Sequence, residues 1–483
     1  MTQPSPRDGD AIPLPVFAVT VTGAFVVALD LSIVNVAFPS IEASFADAST
    51  ATLSWVLSAY SVVFGALLLG AGRIADRSGR RLTFLVGLGV FTLGSLLCGA
   101  ATSPALLIGG RVVQAVGAAL LMPSSLALLL SATPERLRTT AVATWGGISA
   151  LAVACGPSIG AVLVDAGGWR WAFLVNLPVL AVAAIATTRV VPESRTGGPP
   201  PDGVGIAMVS VSVAALALAI TQGPDWGWTS AGVAGAAVAA LALGSLAVRR
   251  ARSHPAPAVD LGILSNRTIA LANAGTVLYA IGFFAMLLGN VLFLTSVWGW
   301  STLAAGLAVT PGPIVVALLS RGTGRLASRI GFRPLLVAGP LVFAAAQLWS
   351  AAMVPLDPDY LRWWLPQTLV TGLGVALTFP VLSAAAVSGL APASFAAGGA
   401  INQTARQVGA VLGVAVLVAV LGTPASLADA HDRYRIAWAI CAAAAVGSAL
   451  VALRHDRVPV AAPELVAVPV PAAPVAAAGE VPA

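Results

Sequence analysis

Of the nineteen acidic side chains, Asp30 alone lies deep within an apolar run, Leu29-Asp30-Leu31-Ser32-Ile33-Val34-Asn35-Val36-Ala37-Phe38-Pro39. An ionisable group in such surroundings is costly to keep unless it has a partner and a task. Two arginines share that setting, Arg111 and Arg406. Gln114 follows Arg111 by three residues, so the two occupy one face of a helix. Asp30 lies about 12 Å and Arg111 about 9 Å from the outer ends of their runs at 1.5 Å per residue, so they can meet at matched depth. A carboxylate facing an arginine stays ionised; one that loses its arginine in a desolvated cavity takes up a proton. The chemistry on offer is proton coupling. The alternative is a permanent ion pair that locks two helices, and one residue can serve both ends. Arg406 follows Asn402-Gln403-Thr404-Ala405. It reads either as a cavity residue that touches a ligand or gates a mouth, or as a side chain snorkelling to the nearer interface. Asn35, Gln114, Asn402 and Arg406 form the candidate cavity wall.

A second group of residues has gating geometry. Gly72-Arg-Ile-Ala-Asp76-Arg77-Ser-Gly79-Arg80-Arg81 aligns with Gly324-Arg325-Leu-Ala-Ser328-Arg-Ile-Gly331-Phe-Arg333 at an offset of 252 residues. Near the same offset, Gly117-Ala-Ala-Leu-Leu-Met-Pro123 matches Gly374-Val-Ala-Leu-Thr-Phe-Pro380, and Gly156 and Gly160 match Gly409 and Gly413. An internal repeat of two six-helix bundles around a central cavity is a transporter architecture. The glycines of the paired loops permit tight turns and close helix approach. Asp76 can accept from arginines or helix N-termini of a neighbour and hold one conformation closed. Charge placed for topology alone accounts for the arginines but not for the repeated glycines. Ser328 in place of the acid predicts a weaker second latch. Gly146, Gly147, Gly156, Pro157 and Gly160 leave one helix pliable, as a hinge or as a close-packing seam.

The elements that must position these residues are membrane spans. Hydrophobic residues make up 58% of the chain and charged ones 9%, with a mean hydropathy of +0.93. Soluble domains carry about 25% charged residues. A soluble enzyme and a largely disordered chain are both excluded as the main reading. Runs of about 20 apolar residues, enough to cross a bilayer, fall at 16–38, 53–72, 82–101, 105–130, 139–163, 171–190, 204–222, 230–248, 268–296, 302–320, 334–354, 363–390, 398–421 and 436–453. The first lacks a basic leader and reads as a retained span. All 25 basic residues are arginines, and nineteen fall in alternate loops, which become cytoplasmic if both termini are. Only Arg170, Arg362, Arg433 and Arg435 fall in the other loops. A missed span would scramble that alternation. Trp169, Trp171, Trp226, Trp228, Trp298, Trp300, Trp363 and Trp364 cluster at outer ends, where most read as interfacial anchors. Cys98, Cys155 and Cys441 read as small hydrophobes.

The expected fold is therefore an all-α polytopic membrane protein with 14 transmembrane helices. Its expected divisions are a cytoplasmic N-terminus (1–15), a six-helix bundle (16–190), a linker with two extra helices (191–267), a second six-helix bundle (268–453) and a disordered cytoplasmic tail (454–483).

These residues resemble a known family. The Gly72–Arg81 segment resembles the signature loop of the major facilitator superfamily, and Gly110-Arg111-Val-Val-Gln114-Ala-Val-Gly117 resembles its span-4 motif. Gly147 through Gly160 is similar to the antiporter motif of drug exporters. Asp30 through Pro39, with Trp169-Arg-Trp-Ala-Phe-Leu-Val-Asn176-Leu-Pro178, resembles the fourteen-span drug:proton antiporter branch. The resemblance implies export of drugs or antibiotics driven by proton entry, with Asp30 and Arg111 as coupling residues and Gly156-Pro157 as the antiporter hinge. It implies a monomer in the inner (plasma) membrane, both termini cytoplasmic, with a proton gradient but no cofactor, metal or nucleic acid. Members of the branch that export multivalent cations carry further embedded acids in the second half, and this chain has none there. A neutral, zwitterionic or anionic compound is the expected cargo. Transport of an endogenous metabolite is the alternative on the same scaffold. A membrane enzyme is disfavoured because His254, His431 and His455 are scattered and no catalytic cluster forms. No ATP-binding loop appears.

Overall fold

The computed structural model describes residues 12–194, 202–254, 257, 260–422 and 424–455. Most of the expected N-terminal segment 1–15 and almost all of the expected tail 454–483 lie outside the described residues, as does part of the linker 191–267. The long helices are α1 (Leu14–Ser44), α2 (Thr50–Ser78), α3 (Arg80–Gly99), α4 (Pro104–Ala132), α5 (Glu135–Gly167), α6 (Trp171–Val190) and α7 (Gly203–Trp226). They continue as α8 (Ala231–Ser253), α9 (Arg267–Ser296), α10 (Leu303–Ile330), α11 (Phe332–Met353), α12 (Tyr360–Ala386), α13 (Pro392–Leu421) and α14 (Leu427–Ala452). Thirteen are each long and apolar enough to cross a membrane, and α5 makes fourteen when its two arms count as one span. Those arms, Glu135–Val153 and Cys155–Gly167, meet at 41°. Pro157 removes the N–H that would bond to Val153 and crowds that carbonyl, which is the usual cause of such a bend.

Helix ends differ from the sequence expectation in an instructive way. The signature segment is not a loop. α2 runs on through Asp76 and Arg77 to Ser78, and α3 starts at Arg80. Gly79, at φ 117°, makes the whole link. The second copy repeats this, with Gly331 at φ 82° between α10 and α11. A positive φ suits glycine, and nothing else in either segment opposes helix. α1 likewise continues past Pro39 to Ser44.

Packing rests on small residues, which let membrane helices approach closely. A Cβ on Gly117 would strike the backbone of Phe91, and one on Gly374 would come within 2.6 Å of the Phe343 nitrogen. α3 therefore seats on α4 as α11 seats on α12. Gly156 and Gly160 bring α5 against Ser32 and Ile33 of α1. Gly409 and Gly413 bring α13 against Val277, Ala280 and Ile281 of α9. The repeat found in the sequence is thus a repeat of contacts. α5 also lies along α10 and α12, and α13 along α2 and α4. Of the two extra helices, α8 packs on α7, and α7 packs on both α2 and α13 at the seam between the repeats.

The tryptophans divide. Trp171, Trp226 and Trp228 are exposed, as interfacial anchors would be. Trp169, Trp298 and Trp364 are instead buried inside protein. Trp364 stacks on Phe293 with centroids 5.6 Å apart, and Trp298 donates to the Pro355 carbonyl at 3.0 Å. Position near an outer end does not say which way a ring turns.

Candidate functional site

Asp30 and Arg111 meet. α1 and α4 bring them together at 0% and 1% exposure, with Arg111 Nη1 donating to Asp30 Oδ2 at 2.6 Å. The other carboxylate oxygen accepts from Gln114 Nε2 at 2.8 Å and from Asn176 Nδ2 of α6 at 3.2 Å. Gln114 also donates to Ser95 Oγ of α3 at 3.0 Å and accepts from Arg111 Nη1 at 2.6 Å. Arg111 Nε donates to the Val56 carbonyl of α2 at 3.1 Å, and its guanidinium lies 4.0 Å from the centre of the Tyr60 ring. Side chains or carbonyls from α1, α2, α3, α4 and α6 thus satisfy one buried pair. Burying charge demands this much compensation. Gly94 is part of the arrangement, since a Cβ there would come within 2.5 Å of the Gln114 nitrogen.

A cavity of about 350 Å³ opens beside this network, within the size range of small-molecule sites. Its wall includes Ser32, Phe64, Met122, Phe283, Phe379 and Gln403. Arg111 reaches the wall while Asp30 lies behind it. Asn35 and Arg406 line the cavity as expected from the sequence. Gln114 does not; it is held in the ion-pair network. Asn402 does not either, and its Nδ2 donates to Asn273 Oδ1 at 3.2 Å and Thr276 Oγ1 at 3.1 Å on α9. Arg406 does not snorkel. It sits over the Phe379 ring at 4.8 Å and donates to Ser383 Oγ at 3.0 Å. Ile220 of α7 also reaches the cavity wall, so an extra helix contributes to it.

Beyond one end of the cavity, on the face bearing the arginine-rich segments, the repeats are latched. Asp76 accepts from Arg80 Nε and Nη2 at 3.0 and 2.7 Å, and from the backbone nitrogens of Ala396 and Ala397 at 3.4 and 3.1 Å. Arg80, 2% exposed, also donates to the Pro392 carbonyl. The carboxylate therefore caps the start of α13, where free N–H groups and the helix dipole favour an anion. A Cβ on Gly72 would meet the Ala396 carbonyl at 2.8 Å. Arg77 is exposed. In the second copy Gly324 approaches Thr140 and Ala143 of α5, and Gly147 faces Ser320. Arg325 is exposed, and Ser328 Oγ donates to the Arg325 carbonyl one turn back on its own helix. Gly156 and Pro157 lie at the bend of α5, with Gly306 packed on Pro157.

Sequence reasoning missed several members of the site. Tyr60, Ser95 and Ser383 are ordinary apolar-helix residues by composition. Asn176 stood out only as part of a motif. Nothing local says that their helices converge. Among the described residues no group of three or more His, Cys, Asp or Glu side chains is placed to hold a metal ion.

Comparison with known proteins identifies the scaffold. The model of the Major Facilitator Superfamily matches residues 20–414. The multidrug resistance protein Stp of Mycobacterium tuberculosis is 34% identical over 412 residues, covering 83% of this chain and 74% of that one. The methylenomycin A resistance protein of Streptomyces coelicolor is 31% identical over 402 residues, covering 83% and 84%. The crystal structure of the human organic anion transporter MFSD10 (TETRAN) superimposes with a TM-score of 0.65 over 91% of this chain and 99% of that one, at 14% identity, a likeness of fold alone. The duplicated helices, the latched segment and these matches agree: the chain belongs to the Major Facilitator Superfamily and is a membrane transporter, not an enzyme.

Proposed function

We propose that this protein exports antibiotic-like small molecules by alternating access, in exchange for protons, across the inner (plasma) membrane with both termini cytoplasmic. The observation that carries the reading is the buried Asp30–Arg111 pair, whose arginine reaches the wall of a drug-sized cavity while the carboxylate lies behind it. The resistance proteins it matches supply the cargo class.

The coupling follows from the bonds. With Asp30 ionised, Arg111 is held to α1 and α2. With Asp30 protonated, the carboxyl loses its hold on the guanidinium, and Arg111 is left to Gln114 and the Val56 carbonyl. Proton uptake and the α1–α4 ion pair are then mutually exclusive. The positive-inside rule assigns the arginine-rich face to the cytoplasm. In this conformation that face is closed by Asp76 on α13. The cavity wall runs the other way, to Asn35, Ser54 and Val418. This is the arrangement for releasing cargo outward and receiving a proton. The bent α5, which contacts both α1 and α10, is the element whose movement would open the inner face. The functional unit is a monomer, since one chain supplies the cavity, the pair and the latch.

Proton flux in proteoliposomes tests the reading. A pH gradient is imposed and a panel of antibiotics is added on the side of the arginine-rich face. Wild type should move protons when a cargo is present, and Asp30→Asn should not. Normal coupling in Asp30→Asn would make the pair purely structural.

A further inference from the structure

The cavity holds one guanidinium that the coupling mechanism does not use. Arg111 is neutralised by Asp30 at 2.6 Å. Among the described residues Arg406 is paired with no acid. Its protein contacts are Ser383 Oγ at 3.0 Å through Nη2 and the face of Phe379 at 4.8 Å. Its Nε is buried with no hydrogen-bond partner. A guanidinium carries five N–H donors in a planar fork, so most of its capacity is unspent. Among the described residues no Asp or Glu belongs to the cavity wall, which apart from Arg111 and Arg406 is apolar or amide and hydroxyl in character. Gln403 and Gln407 stand beside Arg406 on the same wall, and Gln403 Oε1 also lacks a partner. An uncompensated cation at membrane depth is expensive and is kept for a task.

We infer that Arg406 anchors a negatively charged group of the transported compound, a carboxylate on an otherwise apolar molecule. The fork matches a carboxylate with two parallel hydrogen bonds. Gln403 and Gln407 offer further amide donors, and Phe64, Phe283 and Phe284 offer an apolar wall for the rest of the molecule. Ser383, which orients Arg406, lies against Gly146 of α5. The anchor therefore sits at the closed inner end, where cargo arriving from the cytoplasm meets it first. This inference rests on the proposed export function for its physiological meaning, but its test is equilibrium binding and needs no transport.

The experiment compares naphthalene-2-carboxylate with the neutral naphthalene-2-carboxamide on purified full-length protein by isothermal titration calorimetry. Wild type should bind the carboxylate about tenfold tighter than the amide, the effect of one charge-assisted contact. Arg406→Gln should bring the ratio close to one, and Arg406→Lys should keep part of it. Unfolding midpoints of each variant confirm that the cavity is intact. The readout is equilibrium binding to detergent-purified protein and involves no proton flux, so failure of export and failure of this inference are read separately. No preference in wild type, or an unchanged ratio in Arg406→Gln, overturns it and leaves Arg406 as a strut between α12 and α13.

Discussion

The two repeats share a skeleton but differ in charge at corresponding sites. In the first, Ser95, Arg111 and Gln114 join Asp30 in an ionic network. At the aligned positions of the second stand Gln347, Thr368 and Thr371. Gln347 Nε2 donates to Thr371 Oγ1 at 3.3 Å, Thr371 to Gln367 Oε1 at 3.3 Å, and Gln367 Nε2 to Thr368 Oγ1 at 3.1 Å. The glycine contacts beneath are the same, Gly117 on Phe91 and Gly374 on Phe343. The latches differ alike, with Asp76 clasping α13 and Ser328 turned back on its own helix. Packing has been kept twice, while titratable chemistry has been kept once. A neutral network cannot exchange a proton for an ion pair, so the proposed coupling falls to the first repeat, while the anchor inferred at Arg406 falls to the second.

Arg111→Met should break this asymmetry most severely. It strands Asp30 at 0% exposure, and removing one partner of a buried pair costs about 3–5 kcal/mol. Unfolding midpoints and proton flux should both fall. Thr368→Val, its counterpart, should cost about 1 kcal/mol, the worth of an ordinary hydrogen bond. Equal losses would erase the distinction between repeats.

The latches offer the next test. Asp76→Ala removes charge-assisted bonds to Arg80 and to the start of α13. The balance between closed and open inner faces should shift roughly tenfold or more. Distances between spin labels introduced through Arg77→Cys and Ala391→Cys would report it as a longer population. Ser328→Ala should leave that distribution unchanged.

Gly117→Ala and Gly374→Ala probe what the repeats share. Overpacking of this kind costs about 1–3 kcal/mol, and the two midpoints should fall alike. A clear inequality would mean that the common skeleton has diverged in packing as well as in charge.

The smallest effect belongs to the helices outside both repeats. Arg250 of α8 binds Asp202 before α7 through 2.6 and 2.8 Å bonds and holds that carboxyl down to about 2. An unfolded aspartate titrates near 3.9. A depressed carboxyl contributes stability that is complete above the unfolded value and is lost as pH falls towards the folded one. Acidification from pH 7 to 5 should therefore leave this link untouched, and between about pH 4 and 2 it should weaken. Asp202→Asn should lower the unfolding midpoint modestly at pH 7 and abolish that acid-range slope, since the link is then absent at every pH.

The sequence by itself determined the class of molecule. Fourteen apolar runs, alternating loop arginines and a 252-residue repeat suffice to name a duplicated helical transporter, because a bilayer forces backbone groups into helices whatever the neighbours. It also exposed Asp30, Arg111 and Arg406, since charge within apolar sequence is conspicuous. Tertiary structure alone decided who meets whom. Gln114 turned into the ion pair and Asn402 onto α9, while Asn35 and Arg406 turned to the cavity. Trp364 turned inward and Trp228 outward from similar positions at outer ends. The direction a residue faces depends on which helices converge on it. Between helices that are apolar all round, hydropathy carries almost no orienting signal. Orientation is left to small residues such as Gly94 and Gly156, whose partners lie distant in sequence.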